Sequence, residues 1–208
     1  MRRIAIPCLL TLLFLFTPAR ALQGDAAGKV TRVQGAAMAV QDAMPRVLSV
    51  GSEILIGDVL STGKGSRLEI TMSDESVMTL GERASFVVNN YIYLEGDGAA
   101  EFRIIDGAFK AVSGQIAALK HDAMTVTTET ATIGIRGTEI WGGALADGPP
   151  EVALLSGREV SVTTRGGTVI LNKAGEGTKV GDASSAPTAP KVWGEKKIIR
   201  AKATVAFD

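Results

Sequence analysis

The sequence Ala131-Thr-Ile-Gly-Ile-Arg-Gly-Thr-Glu-Ile-Trp-Gly-Gly143 sets one arginine between two glycines in an apolar run. Ile133 and Ile135 are two residues apart, so in an extended strand they point to one face, whereas Gly134 and Arg136 point to the other. The two glycines leave no side chain beside the guanidinium, so a neighbouring backbone or a partner can approach closely. This spacing predicts a β-strand around which the rest of the chain is organised.

Arg136 allows two interpretations. Its five fixed N–H donors are suited to gathering turn carbonyls or a carboxylate. In the structural interpretation it ties adjacent layers of the fold together, and in the functional one it is an exposed contact for an anionic partner. The candidate motif continues through Gly137, Thr138 and Glu139 to Trp141, whose indole is expected to cover the end of the apolar stack.

Outward from this motif, the chain reads as short β-type runs separated by glycine, aspartate, asparagine or serine. The clearest alternation is in residues 67–72, where Leu68, Ile70 and Met72 share one face of a half-buried strand. No long amphipathic helix is predicted in the core. Evenly spaced short strands suit a sandwich, a barrel or a solenoid, and single-residue turns favour stacking. The prediction is an all-β fold, a β-solenoid-like stack of short strands with a short C-terminal capping segment.

The N-terminus is predicted to be a secretory signal peptide, residues 1–21. Arg2 and Arg3 supply its positive start, residues 4–16 its apolar core, and Ala21 the end of a small-x-small cleavage site. The apolar run of about 13 residues is short of the roughly 20 that span a bilayer. Cys8, the one cysteine, is removed with it, so no disulfide is expected. The sequence therefore predicts a periplasmic or secreted protein.

Composition divides the remaining chain into a β domain over residues 22–182, a Ser/Ala/Pro linker over 183–190 and a C-terminal segment over 191–208. Two interpretations of the last segment stay open. It folds back as a cap on the β stack, or it presents Trp193, Lys196 and Lys197 to an anionic surface or partner. The pattern leaves helix or strand open for this segment.

Charge and hydropathy argue against nucleic-acid binding and against a membrane-spanning segment. The sequence has 22 basic and 22 acidic residues, and the basic ones are scattered. Duplex nucleic acid requires concentrated positive charge, so a nucleic-acid-binding function is not expected. After residue 21 no apolar run is long enough to cross a membrane, so no transmembrane segment is predicted in the mature chain.

The sequence shows no recognisable set of catalytic residues. His121 is the one histidine, so neither a zinc site of the usual His and Cys composition nor a convincing Ser-His-Asp triad can be assembled. The acidic pairs Asp74 with Glu75 and Asp97 with Glu101 lack the ligand density of a calcium loop and are interpreted as turn residues. The prediction is a non-enzymatic protein without catalytic, cofactor-binding or metal-binding residues.

Three segments together resemble the FecR domain. Gly57-Asp-Val-Leu-Ser-Thr-Gly63, the alternating strand that follows it and the apolar strand at 77–80 match the order of the family's first hallmark. Residues 132–139 are similar to its second hallmark, a Val-Gly-Val-Arg-Gly-Thr type segment, and residues 151–157 to a later strand. The resemblance covers about residues 28–182. Departures are the missing turn glycine in 73–76 and a Gly-Glu pair at 81–82 where proline is common.

The resemblance implies a β-solenoid-like fold with Arg136 in a rung. Iron-siderophore regulators of the family carry this domain in the periplasm behind a sigma-factor-binding segment and one transmembrane helix, and neither is recognised here. The prediction is an exported, non-enzymatic binding or sensing module of the bacterial cell envelope that acts through protein–protein contact. The alternative is a structural or adhesive envelope protein whose solenoid binds glycan or matrix, with Trp141, Tyr91 and Tyr93 as stacking residues if exposed. Its partner would be an envelope protein or a cell-wall polysaccharide.

Overall fold

A computed structural model describes residues 25–120, 122–146 and 148–208. Within them, sixteen strands form one sheet, and there are also a single-turn helix and one longer helix. The predicted signal peptide with Ala21 and Cys8, and also His121, lie outside the described residues. The all-β prediction is confirmed. The strands are β1 Ala26–Gln34, β2 Ala37–Gln41, β3 Met44–Val47, β4 Glu53–Leu55, β5 Val59–Thr62, β6 Arg67–Met72, β7 Val77–Leu80, β8 Ser85–Leu94, β9 Asp97–Asp106, β10 Phe109–Val112, β11 Met124–Thr127, β12 Thr132–Ala144, β13 Pro150–Thr164, β14 Gly167–Leu171, β15 Glu176–Lys179 and β16 Lys191–Val192, and the helices are α1 Ile116–Leu119 and α2 Glu195–Ala203.

Strand β12, which contains the central motif, is the point where the sheet divides into two limbs. One edge of β12 pairs with β11 over residues 132–135 and with β10 over residues 139–142. From β11 the first limb runs through β9, β8, β5 and β2 to β3, and from β10 the second runs through β7, β6 and β1 to β4. The other edge of β12 pairs with β13 along its length. The motif therefore lies at the fork of the sheet.

The two limbs share one hydrophobic core. Strand β6 alternates as the sequence predicts, with Leu68, Ile70 and Met72 buried. Phe86 of β8 stacks on Phe102 of β9 with ring centroids 5.3 Å apart, and both side chains are fully buried. Residues of both limbs belong to the same contiguous cluster, so burial of apolar surface between the limbs holds the curled sheet together.

The pairing is that of a curled, open half-barrel and not clearly that of a solenoid. Every described strand pair is antiparallel except β9 with β11. Repeating rungs of a parallel β-helix would instead place successive strands in parallel register. The coarse prediction of an all-β sheet is therefore correct, whereas its finer part, a solenoid-like stack of rungs, is not clearly supported.

The two ends of the sheet, β3 and β4, meet at a seam that is bridged by Arg46. Its Nη1 donates to the carbonyl oxygen of Glu53 at 3.2 Å, and its Nη2 lies 2.6 Å from both carboxylate oxygens of Asp58. Asp58 is fully buried and also accepts the N–H of Leu55 at 2.8 Å. Arg46 therefore connects the last strand of one limb to the last strand of the other.

The C-terminal segment crosses the outer face of the sheet. Helix α2 covers Trp141 and Ala153 of β12 and β13, forming a small apolar cluster separate from the main core. Beyond the helix, the carbonyl oxygen of Ala206 accepts a bond from Arg67 at 3.1 Å, and Phe207 lies under the guanidinium of Arg32 at 4.0 Å. Of the described residues, no helix is long and apolar enough to span a membrane.

Candidate interaction surface

The central motif divides between the two faces of β12. Ile133 and Ile135 are buried in the main core, as their spacing predicts. Arg136 is exposed. Another arginine, Arg46, bridges the two ends of the sheet at the seam. The Arg136 side chain therefore faces solvent at the fork of the sheet.

Gly137 adopts a left-handed backbone conformation (φ +61°) where β12 changes partner from β11 to β10. Such a φ favours glycine. A side chain there would begin 3.7 Å from Cδ of Arg158, an exposed residue of β13. Two exposed arginines, 136 and 158, therefore flank this glycine. The sequence alone gave no signal for Arg158, because its proximity depends on the register between β12 and β13.

Gly134 lies close to two polar side chains. A Cβ at this position would lie 2.5 Å from Oγ of Ser161 and 2.6 Å from Oδ1 of Asp122. Both distances are too short for nonbonded atoms, so any larger residue would displace these side chains. Gly134 is buried, and its function is to let the neighbouring polar groups approach the strand.

Thr138 and Glu139 are held by the second limb. Thr138 is buried, and its N–H donates to Oγ of Ser113 at 2.8 Å, just after β10 ends. Glu139 is half-buried and lies 3.5 Å from Nζ of Lys110 on β10. These contacts fix the fork of the sheet. Of the motif, Arg136 and Gly137 are therefore the residues that an external partner can reach.

Trp141 and the C-terminal segment pack together. Nε1 of Trp141 donates to Oγ1 of Thr204 at 2.9 Å, and Trp193 meets Trp141 edge to face with centroids 5.8 Å apart. Lys197 lies 3.8 Å above the Trp193 ring and 2.7 Å from Oε2 of Glu151. Trp193 and Lys197 are thus used inside the protein, whereas Lys196 points to solvent.

The acidic turn at 73–76 contains a buried polar centre. Asp74 is fully buried; its Oδ1 accepts the hydroxyl of Tyr91 at 2.9 Å, and its Oδ2 accepts the hydroxyl of Ser76 at 2.7 Å and the N–H of Ile116 at 3.1 Å. Burial, reinforced by the charge of Asp74, raises the pKa of Tyr91 above its ordinary value. The hydrogen bonds of Asp74 join the 73–76 turn to β8 and α1, so its role is structural. The described ranges contain no cluster of His, Cys, Asp and Glu that could hold a metal ion.

A cleft of about 570 Å³ opens at one end of the half-barrel. Its apolar lining includes Ile104, Ile133 and Val152, and its charged lining includes Arg83 and Glu129. Its lining carries four carboxylates and two guanidinium groups, so charges of both signs are present.

Comparison with known proteins identifies the domain. Residues 58–158 match the family model described as FecR protein. Two crystal structures, at 1.65 Å and 2.50 Å resolution, of a putative anti-sigma factor from Parabacteroides distasonis ATCC 8503 are similar in fold, with TM-scores of 0.52 and 0.53 and 16% sequence identity. Each alignment covers 67% of this chain and 61% of the other. No curated protein sequence matches significantly.

Proposed function

Because the chain carries a FecR domain over residues 58–158, we propose that it is a non-enzymatic binding or sensing module of the bacterial cell envelope. It works through contact with another protein, and it reaches the periplasm or the exterior by its signal peptide, residues 1–21. The name of the structurally similar protein, a putative anti-sigma factor, supports a regulatory role for that contact.

The observation that carries this proposal is the exposed guanidinium of Arg136 within the segment that resembles the family's second hallmark. Exposed Arg158 lies on the neighbouring strand, next to Glu159, the cross-strand neighbour of Arg136. A guanidinium binds a carboxylate through two parallel hydrogen bonds, which gives direction as well as attraction. The surface around Arg136 therefore suits a partner that offers an aspartate or glutamate side chain.

A glycan-binding role has less support. Saccharide recognition by stacking needs exposed aromatic faces. Trp141, Trp193 and Tyr91 are all buried, and the half-buried Tyr93 donates its hydroxyl to Gln115 at 2.7 Å. The residues considered for a stacking platform are therefore engaged within the protein, which favours a protein partner.

The contact is tested by photo-crosslinking in living cells. A photo-reactive amino acid replaces Ile170, which is 48% exposed and pairs with Ser161, the cross-strand neighbour of Gly134. It lies on the same face as Arg136, so it reports on a partner bound there. Crosslinked proteins are identified by mass spectrometry in the wild-type background and with Arg136→Ala.

The matched control is Arg103→Ala, which removes an exposed arginine from β9. The proposal expects one specific crosslinked protein that is lost with Arg136→Ala and kept with Arg103→Ala, while both variants melt like wild type. It is rejected if no specific crosslink forms, or if both variants weaken it equally. A large drop in the melting temperature of Arg136→Ala would instead assign a structural role.

Export is tested separately. The chain is released by osmotic shock, and the mass of its N-terminal peptide is measured. Cleavage after Ala21 predicts a chain that begins at Leu22 and fractionates with periplasmic or extracellular protein. Retention of the whole sequence in the cytoplasmic fraction would contradict the proposed location.

A further inference from the structure

The C-terminal helix presents a basic surface that none of the contacts above uses. Residues 191–207 contain five basic residues and one acidic residue, Glu195. On α2, Lys196, Ile199 and Arg200 are exposed at positions three or four apart and so share one helix face, which points to solvent. Lys191 and Lys202 are exposed on either side of this face. We call these five residues the α2 basic face.

The cations of this face are not neutralised within the protein. No ion pair between described residues involves any of its four basic side chains. The buried carboxylate nearby, Glu151, is already neutralised by Lys197 at 2.7 Å and Lys179 at 3.6 Å. The positive charge of the α2 basic face is therefore available to an external anionic surface.

The face is held in place by the other side of the helix. Ala201 is fully buried, Trp193 packs on Trp141, and the hydroxyl of Thr204 accepts the indole N–H of Trp141. Gly177 permits this docking, because a Cβ there would lie 2.4 Å from the Trp193 ring. The docked helix keeps its outward cations on one side of the protein, so binding need not first order this segment.

Apolar side chains lie among the cations. Ile199 is 58% exposed, and Val192 on the adjacent β16 is 72% exposed. A lipid bilayer offers anionic headgroups at its surface and hydrocarbon a few ångströms below, so it accommodates both groups at once. We propose that the α2 basic face binds the surface of an anionic phospholipid bilayer.

The features of the face favour lipid over a folded acidic partner. The outward cations are on long, exposed side chains that no described hydrogen bond orients. Mobile headgroups can gather around such charges, whereas a folded partner would need carboxylates at fixed matching positions. This inference is independent of the protein contact proposed at Arg136, since it rests on another element.

The test measures co-sedimentation of the purified full chain with vesicles at low salt. One set contains phosphatidylglycerol and phosphatidylethanolamine, and the other contains phosphatidylcholine alone. The apolar residues 4–16, if retained, would bind both kinds of vesicle. The measured quantity is therefore the difference in bound protein between the anionic vesicles and the phosphatidylcholine vesicles. The variant is Lys196→Gln/Arg200→Gln, and the matched control is Lys29→Gln/Arg103→Gln, which removes two exposed cations from β1 and β9.

We expect preferential binding to the anionic vesicles that falls about 25-fold in the α2 variant, because each cation at an anionic surface contributes roughly fivefold. The control keeps its affinity, circular dichroism shows all chains folded, and added salt abolishes the preference. The inference is overturned if wild type shows no preference for anionic vesicles, or if variant and control weaken equally. Binding to soluble polyglutamate without vesicle binding would assign the face to an acidic protein.

Discussion

Removal of the seam arginine is the strongest test of how this fold is held together. Arg46→Met keeps much of the aliphatic stem but deletes the donors to Asp58 and to the carbonyl of Glu53. Asp58 is 0% exposed, so its carboxylate would remain buried with one donor, the N–H of Leu55. The perturbation therefore opens the contact between the two ends of the sheet and leaves an uncompensated buried charge.

The expected loss of unfolding free energy follows from the burial of the Arg46–Asp58 ion pair. Removing one partner of a buried ion pair costs about 3–5 kcal/mol of unfolding free energy. The side chain of Arg46 is 34% exposed, so water can reach the vacated position and the Leu55 N–H still binds the carboxylate. These two effects reduce the expected cost to about 2–3 kcal/mol. In a domain of this size that corresponds to a fall in Tm of roughly 5–10 °C.

The assay is urea unfolding followed by circular dichroism, with the slope of free energy against urea compared between chains. Arg136→Ala is the matched control, because its guanidinium is exposed and its loss is expected to change stability by no more than about 0.5 kcal/mol. The double variant Arg46→Met/Asp58→Asn should recover part of the loss, because no charge remains buried. If Arg46→Met were as stable as Arg136→Ala, the seam would not depend on this pair.

Three further predictions concern buried and turn residues. Tyr91→Phe removes the hydroxyl bonded to Asp74 and should lower the unfolding free energy by about 1–2 kcal/mol in urea titrations. The pKa of Tyr91 is raised in the folded protein, so its hydroxyl contributes fully to folding stability below the ordinary tyrosine pKa of about 10. This contribution is lost as pH rises further. Wild type should therefore lose more stability than Tyr91→Phe in alkaline melts. Hydrogen bonds from two following serines lower the pKa of Asp182 to about 2, so NMR should show this turn intact above pH 4 and loosening towards pH 2. Gly177→Ala should displace Trp193 and red-shift tryptophan emission, whereas unchanged emission would contradict the packing of α2.

The sequence predicted those parts of the fold that depend on the alternation of apolar and polar residues within one strand. Leu68, Ile70 and Met72 share a face because side chains on a strand alternate, and one buried face is enough to require apolar residues at every second position. The division of the sheet into two limbs has no such signal. It depends on which strands pair with each half of β12, and this pairing joins segments distant in sequence.

The arginines show the same limit at the candidate site. Arg136 has a conspicuous setting between glycines, yet its side chain reaches solvent. Arg46 follows a proline in a four-residue strand without any pattern, yet it bridges the seam because Asp58 is folded against it. A guanidinium's role is fixed by the carboxylates and carbonyls around it, and sequence spacing does not give those positions. The structure places Arg136 in solvent at the fork of the sheet and Arg46 between the two ends of the sheet.

The position of Trp141 shows how β12 contributes side chains to two separate apolar clusters. Uninterrupted alternation would place it on the face of Ile133 and Ile135, in the main core. The alternation along β12 is broken between Ile135 and Ile140, where Gly137 has a left-handed backbone conformation (φ +61°). Ile140 then joins the main core, and Trp141 meets α2 on the opposite side. The irregularity in the glycine-rich motif thus creates the surface on which the C-terminal segment docks, and through that docking it orients the basic face of α2.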